Sequence, residues 1–70
     1  MDFELQGSDY IELNNLLKIT GMCESGGQAK MVISDGAVLV DGYTETRKRC
    51  KIRKGQTVTF NGQSVTVIQR

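Results

Sequence analysis

Histidine, proline and tryptophan are absent from this 70-residue chain, and cysteine occurs only twice. Without histidine, the commonest general base and the commonest nitrogen ligand of zinc are both missing. Cys23 and Cys50 are too few for a disulfide scaffold and form no Cys-x-x-Cys pair, so reduced thiols and no structural metal are expected. No apolar run approaches the ~18 residues of a membrane span. The acidic start Met1-Asp2-Phe3-Glu4 lacks the basic flank and apolar core of a secretion signal, which points to the cytoplasm. There is no internal repeat, low-complexity tail or proline-rich linker, so residues 1–70 are expected to form one domain. A chain of this size buries only about 60% of its unfolded surface, which makes for a modest core.

Negative charge is the next shortage, and it is local. The net charge is only +1, yet no Asp or Glu occurs after Glu45. The next nine residues are Thr46-Arg47-Lys48-Arg49-Cys50-Lys51-Ile52-Arg53-Lys54, and six of them are basic. Such a run makes a local positive field that attracts a polyanion, although a run of this kind can also be a solvated loop. In an extended stretch Lys51 and Arg53 would share a face, whereas Lys48 would oppose Arg47 and Arg49. Cys50, among these cations, would have a lowered pKa if exposed. Ile52 is the one aliphatic residue of the run and its expected anchor to the core.

Apolar periodicity supplies the scaffold. Phe3-Glu4-Leu5 alternates like a short strand, and Gly7-Ser8 breaks it. Leu13, Leu16 and Leu17 lie on one helical face, predicting a helix over roughly Leu13 to Ile19 that ends at Gly21. Tyr10-Ile11 fits either that helix or an extended entry to it. Ser25 and Gln28 form a capping-box pattern before Ala29, Val32 and Ile33, and Gly36 supplies the stop. Gly26 and Gly27 are poor helix formers; they indicate either tight packing at the helix start or close approach of a phosphate. Ala37 to Val40 reads as a buried strand, Asp41-Gly42 as a turn and Tyr43-Thr44 as a return strand. Thr57 to Phe60, Asn61-Gly62 and Ser64 to Ile68 form the clearest hairpin. Two short helices and about four short strands give an α+β domain with a small, mainly antiparallel sheet and a C-terminal hairpin.

The order Leu13-Asn14-Asn15-Leu16-Leu17, Gly21, Ser25, Ala29, Ile33, then Asp35-Gly36-Ala37-Val38-Leu39-Val40-Asp41-Gly42, resembles the RNA-binding domain named after small-subunit ribosomal protein S-four. The resemblance spans about residues 11–60, extends to Ile52-Arg53-Lys54-Gly55-Gln56-Thr57-Val58, and is strongest to small stand-alone bacterial members. It implies two packed helices, the αL motif, and a non-catalytic protein without cofactor, metal or small-molecule substrate. It also implies a grip on structured RNA, ribosomal or tRNA-like, through helix N-termini and basic side chains. The family often has arginine where Gly26 stands; Lys30, one turn on, is the available substitute. Gln28, Asp41 and Gln56 also depart from the common residues at their positions.

The residues this reading assigns to RNA are Lys18, Ser25, Gly26, Gly27, Lys30, Arg47, Lys48, Arg49, Lys51, Arg53 and Lys54. Cations at phosphate spacing supply affinity, and backbone donors fix register. The basic run and the second helix's start are expected to form two walls of one site. Phe3 and Phe60 are expected in the core, leaving Tyr10 and Tyr43 as the only candidates to stack a base, which favours recognition of shape and backbone. The alternative is a protein-interaction module whose basic loop meets an acidic partner in a ribosomal or RNA-processing assembly. A ubiquitin-like sulfur carrier would need a terminal Gly-Gly, and the chain ends Gln69-Arg70. Catalysis through Cys50 would need a positioned base that the sequence does not offer.

Overall fold

A computed structural model describes residues 1–69. Arg70, read from sequence as a bystander to binding, lies outside the described residues. The chain order is β1 (Asp2–Glu4), β2 (Ile11–Glu12), α1 (Leu13–Ile19), α2 (Gly26–Ser34), β3 (Val38–Val40), β4 (Tyr43–Thr44), β5 (Lys51–Ile52), β6 (Thr57–Phe60) and β7 (Gln63–Ile68). Five strands form one sheet in the order β1-β7-β6-β3-β4, and β2 pairs with β5 in a separate two-stranded ribbon. Within the larger sheet only β1 and β7 are parallel, so the expected α+β, mainly antiparallel architecture is the observed one.

The helices exist because their apolar positions recur at one-turn spacing. Leu13, Leu16 and Leu17 of α1 and Ala29 and Ile33 of α2 are wholly buried, where they meet Val38, Val58, Val65 and Val67 from the sheet. Burying each such aliphatic side chain stabilises by roughly 1.5–3 kcal/mol, which is how so short a chain holds a core. Phe3 and Phe60, expected in the core, are partly buried and pack against its edge. Gly21 and Gly36, with φ of 79° and 78°, end the two helices in the left-handed conformation that glycine tolerates. Asp41-Gly42 and Asn61-Gly62 each have both residues at positive φ, the type I′ geometry that matches hairpin twist.

Two expectations change and one open reading is settled. The N-terminal strand is Asp2–Glu4, with Leu5 buried just beyond it. Tyr10-Ile11 leads into α1 in the extended form, and Ile11 lies in β2. There are seven short strands rather than about four, and one of them, β5, lies inside the basic run. A two-residue strand has no periodicity to detect; it forms because Ile52 is pulled into the core and its neighbours follow.

Candidate nucleic-acid interface

The basic run is not a free loop. Ile52 is fully buried, and its strand pairs with β2 in the register Ile11↔Ile52 and Glu12↔Lys51. Upstream, the chain turns between Arg47 and Cys50, whose N–H donates to the Arg47 carbonyl at 3.2 Å. The carbonyls of Cys50 and Lys48 then accept the N–H groups of Leu13 and Asn14 at 2.9 and 3.0 Å. These amides open α1 and have no partner within the helix. Glu12 at the N-cap makes no side-chain cap, so the loop's backbone caps α1 instead. The consequence is a loop with a fixed backbone and exposed cationic side chains. Beside the docking point, Asn14 Oδ1 is buried without a hydrogen-bond partner among the described residues.

The six cations are not equivalent. Arg47 Nε and one terminal nitrogen donate to the two Glu45 oxygens at 2.9 and 3.0 Å, and the Arg47 backbone N–H donates to the same carboxylate at 2.9 Å. The Arg47 side chain and then its backbone N–H hold the Glu45 carboxyl at a pKa of about 2, well below the usual range. The charge of Arg47 is therefore compensated, and its role is to shape the loop. Cys50 also departs from expectation: it is half-buried, and burial first and the Glu45 carboxylate second push its thiol pKa up, against the pull of Arg47. The basic surroundings do not make it a thiolate.

Lys51 and Arg53 do share a face, as the strand parity predicts. Their cationic groups lie 5.0 and 5.7 Å from the centroid of the Tyr10 ring. The turn after β5 is fixed by Gln56, whose Oε1 accepts the Arg53 N–H at 2.8 Å, and by Asp41, whose Oδ1 accepts the Thr57 N–H at 2.9 Å. These contacts hold Arg53 and Lys54 at the rim of a recess that includes Leu5, Ser8 and Asp9. Arg47, Arg49, Cys50 and Lys51 line a second one.

At the start of α2, Ser25 accepts the Gln28 N–H at 3.1 Å, while Gln28 Oε1 accepts the Glu24 N–H at 2.7 Å. The capping box thus forms, with Gln28 reaching one residue further back than usual. The Gly26 and Gly27 amides have no partner among the described residues. A Cβ at Gly26 would meet nothing within 4 Å, and one at Gly27 would meet only Ser25 Oγ at 3.8 Å. Tight packing therefore does not account for these glycines.

The structure assembles part of the proposed residue set. Lys48, Arg49, Lys51, Arg53 and Lys54 form one exposed tract. Lys18 is exposed and lies one turn along α1 from Asn14, whose backbone N–H meets the loop. Ser25, Gly26, Gly27 and Lys30 come after the other end of α1, a helix about 10 Å long at 1.5 Å per residue. Among the described residues no hydrogen bond or ion pair joins them to residues 47–54. The basic run docks on the first turn of α1 and the start of α2 follows its last turn, so the two proposed walls lie towards opposite ends of α1. Sequence reasoning missed Glu45 as the partner of Arg47, a pair only two residues apart that no helical or strand pattern marks. It also missed the grip of Asp41 and Gln56 on the turn after β5.

An αL helix pair with a basic loop docked on its first turn defines the class. The model of the S4 domain family matches residues 3–68, and the chain belongs to that family. Among individual proteins, it is 56% identical over 66 residues to "Putative RNA-binding protein YbcJ" of Escherichia coli (strain K12), covering 94% of each chain. It is equally similar, over the same share of both chains, to "Uncharacterized protein YbcJ" of Shigella flexneri. The solution structure of YbcJ from E. coli, described as revealing an αL motif involved in RNA binding, matches with a TM-score of 0.74 at 55% identity. That match covers 96% of this chain and 85% of the other.

Proposed function

We propose that this protein binds structured RNA without catalysing a reaction on it, acting in the cytoplasm on a ribosomal or tRNA-like target. The observation that carries the reading is the docking of the 48–50 backbone on the first amides of α1. It holds Lys48, Arg49 and Lys51 on a rigid platform, with Arg53 and Lys54 beyond them. Rigid cations lose less entropy on meeting phosphates than a disordered arm would. Lys18 extends the tract along α1, and the open amides of Gly26 and Gly27, with Lys30, offer a second phosphate contact across the helix. Membership of the S4 family and the RNA-binding name of its E. coli relative support the same reading.

The test is binding of an RNA hairpin as salt is varied. Seven uncompensated cations, five in the basic run with Lys18 and Lys30, at roughly 0.7–0.9 per phosphate contact, give a log K against log salt slope of about −6. Replacing Lys48, Arg49 and Lys51 by alanine is expected to bring that slope to about −3. Arg47 is left in place because it holds Glu45. An unchanged slope and affinity in the triple variant would refute the reading. Capture of an acidic protein partner that survives RNase treatment, with no RNA affinity, would favour the interaction module instead.

A further inference from the structure

Tyr10 precedes β2 and is 38% exposed, and unlike the more exposed Tyr43 it sits beside the basic run. The register explains its orientation. Ile11 pairs with Ile52, which is buried, so Tyr10 and Glu12 project from the opposite face of the ribbon, as Lys51 and Arg53 do. That places the ring beneath two cations, at 5.0 and 5.7 Å. Tyr10 also borders an open recess whose lining includes Phe3, Leu5, Asp9, Ile11, Glu12 and Asn15.

We propose that Tyr10, with Lys51 and Arg53, is a subsite for one unpaired nucleotide of the bound RNA, its base stacked on the ring. The inference rests on the RNA-binding reading and deepens it. A base stacked on an aromatic ring contributes about 5- to 150-fold in affinity, more than an exposed cation over the same ring. The base therefore displaces a cation from the ring, and the released ammonium or guanidinium meets the nucleotide's own phosphate. The cations set the orientation of the subsite: the base lies on the ring and its phosphate meets Lys51 or Arg53. A single stacking ring selects a bulged or flanking base beside a folded RNA, and is too little for a single-strand platform.

The experiment compares two hairpin RNAs, one fully paired and one carrying a single bulged 2-aminopurine. The wild-type protein is expected to bind the bulged hairpin about ten-fold more tightly and to quench its fluorescence. Tyr10→Ala is expected to abolish both effects while leaving affinity for the paired hairpin within about two-fold, and Tyr10→Phe to preserve them. Equal loss on both hairpins in Tyr10→Ala would show a structural role and overturn the subsite. Binding of the paired hairpin by wild type with no preference for the bulge would overturn the subsite alone. No binding of either hairpin would overturn the RNA reading with it.

Discussion

Glu45 stands two residues before Arg47 and accepts three hydrogen bonds from it. Its carboxyl pKa falls to about 2 in the folded protein, against ~4.3 for an unfolded glutamate. A carboxylate whose folded pKa is depressed contributes stability that is complete above the unfolded value and is lost as pH falls through the folded one. The window here is therefore pH 4 down to 2. Thermal unfolding measured across it should show Glu45→Gln less stable than wild type at pH 6, with the difference closing towards pH 2. A gap that stayed constant with pH would mean that the ionised pair contributes nothing. Because the Arg47 side chain is 76% exposed, solvent screening keeps the effect small, and low ionic strength is the condition for seeing it. This pair also shows why a count of basic residues overstates a site: one of the six cations is already matched within the loop.

At the scale of elements, α2 was the most legible and its glycines the least. Ser25 and Gln28 announce the cap, and Ala29 and Ile33 the buried face, because both signals are local and periodic. Gly26 and Gly27 are ambiguous in sequence, since a glycine's reason lies in what surrounds it. The space around both is open, so Gly26→Ala is expected to stabilise the fold by up to about 1 kcal/mol through helix propensity. If a phosphate sits on those amides, the same methyl group should weaken RNA binding about five-fold, the worth of roughly one hydrogen bond. Chemical denaturation and RNA titration of one variant thus move in opposite directions; a gain in both would remove α2 from the interface. The β2–β5 ribbon was illegible for a different reason. Its strands are two residues long, and their pairing is set by the burial of Ile52 and by the capping of α1, both long-range facts. The same holds for the parallel pairing of β1 with β7, which joins the two ends of the chain.

The described molecule measures 32 × 22 × 19 Å, and that bounds what it can grip. B-form DNA advances ~3.4 Å per base pair and an A-form RNA stem less, so the longest dimension spans roughly eleven base pairs of RNA. The basic tract, α1 and the start of α2 occupy only part of that length, with the tract at one end of α1 and the glycine amides at the other. Affinity for hairpin RNAs should therefore rise as the stem grows to about eleven base pairs and then level off. A stem of twice that length should take a second copy at similar affinity, because it repeats the same backbone surface without enlarging any one contact. Calorimetric titration reads both quantities, stoichiometry and affinity per site. One copy per long stem, bound ever more tightly as the stem grows, would require contacts beyond the reach of a 32 Å molecule. It would place the recognised feature in the RNA's overall fold.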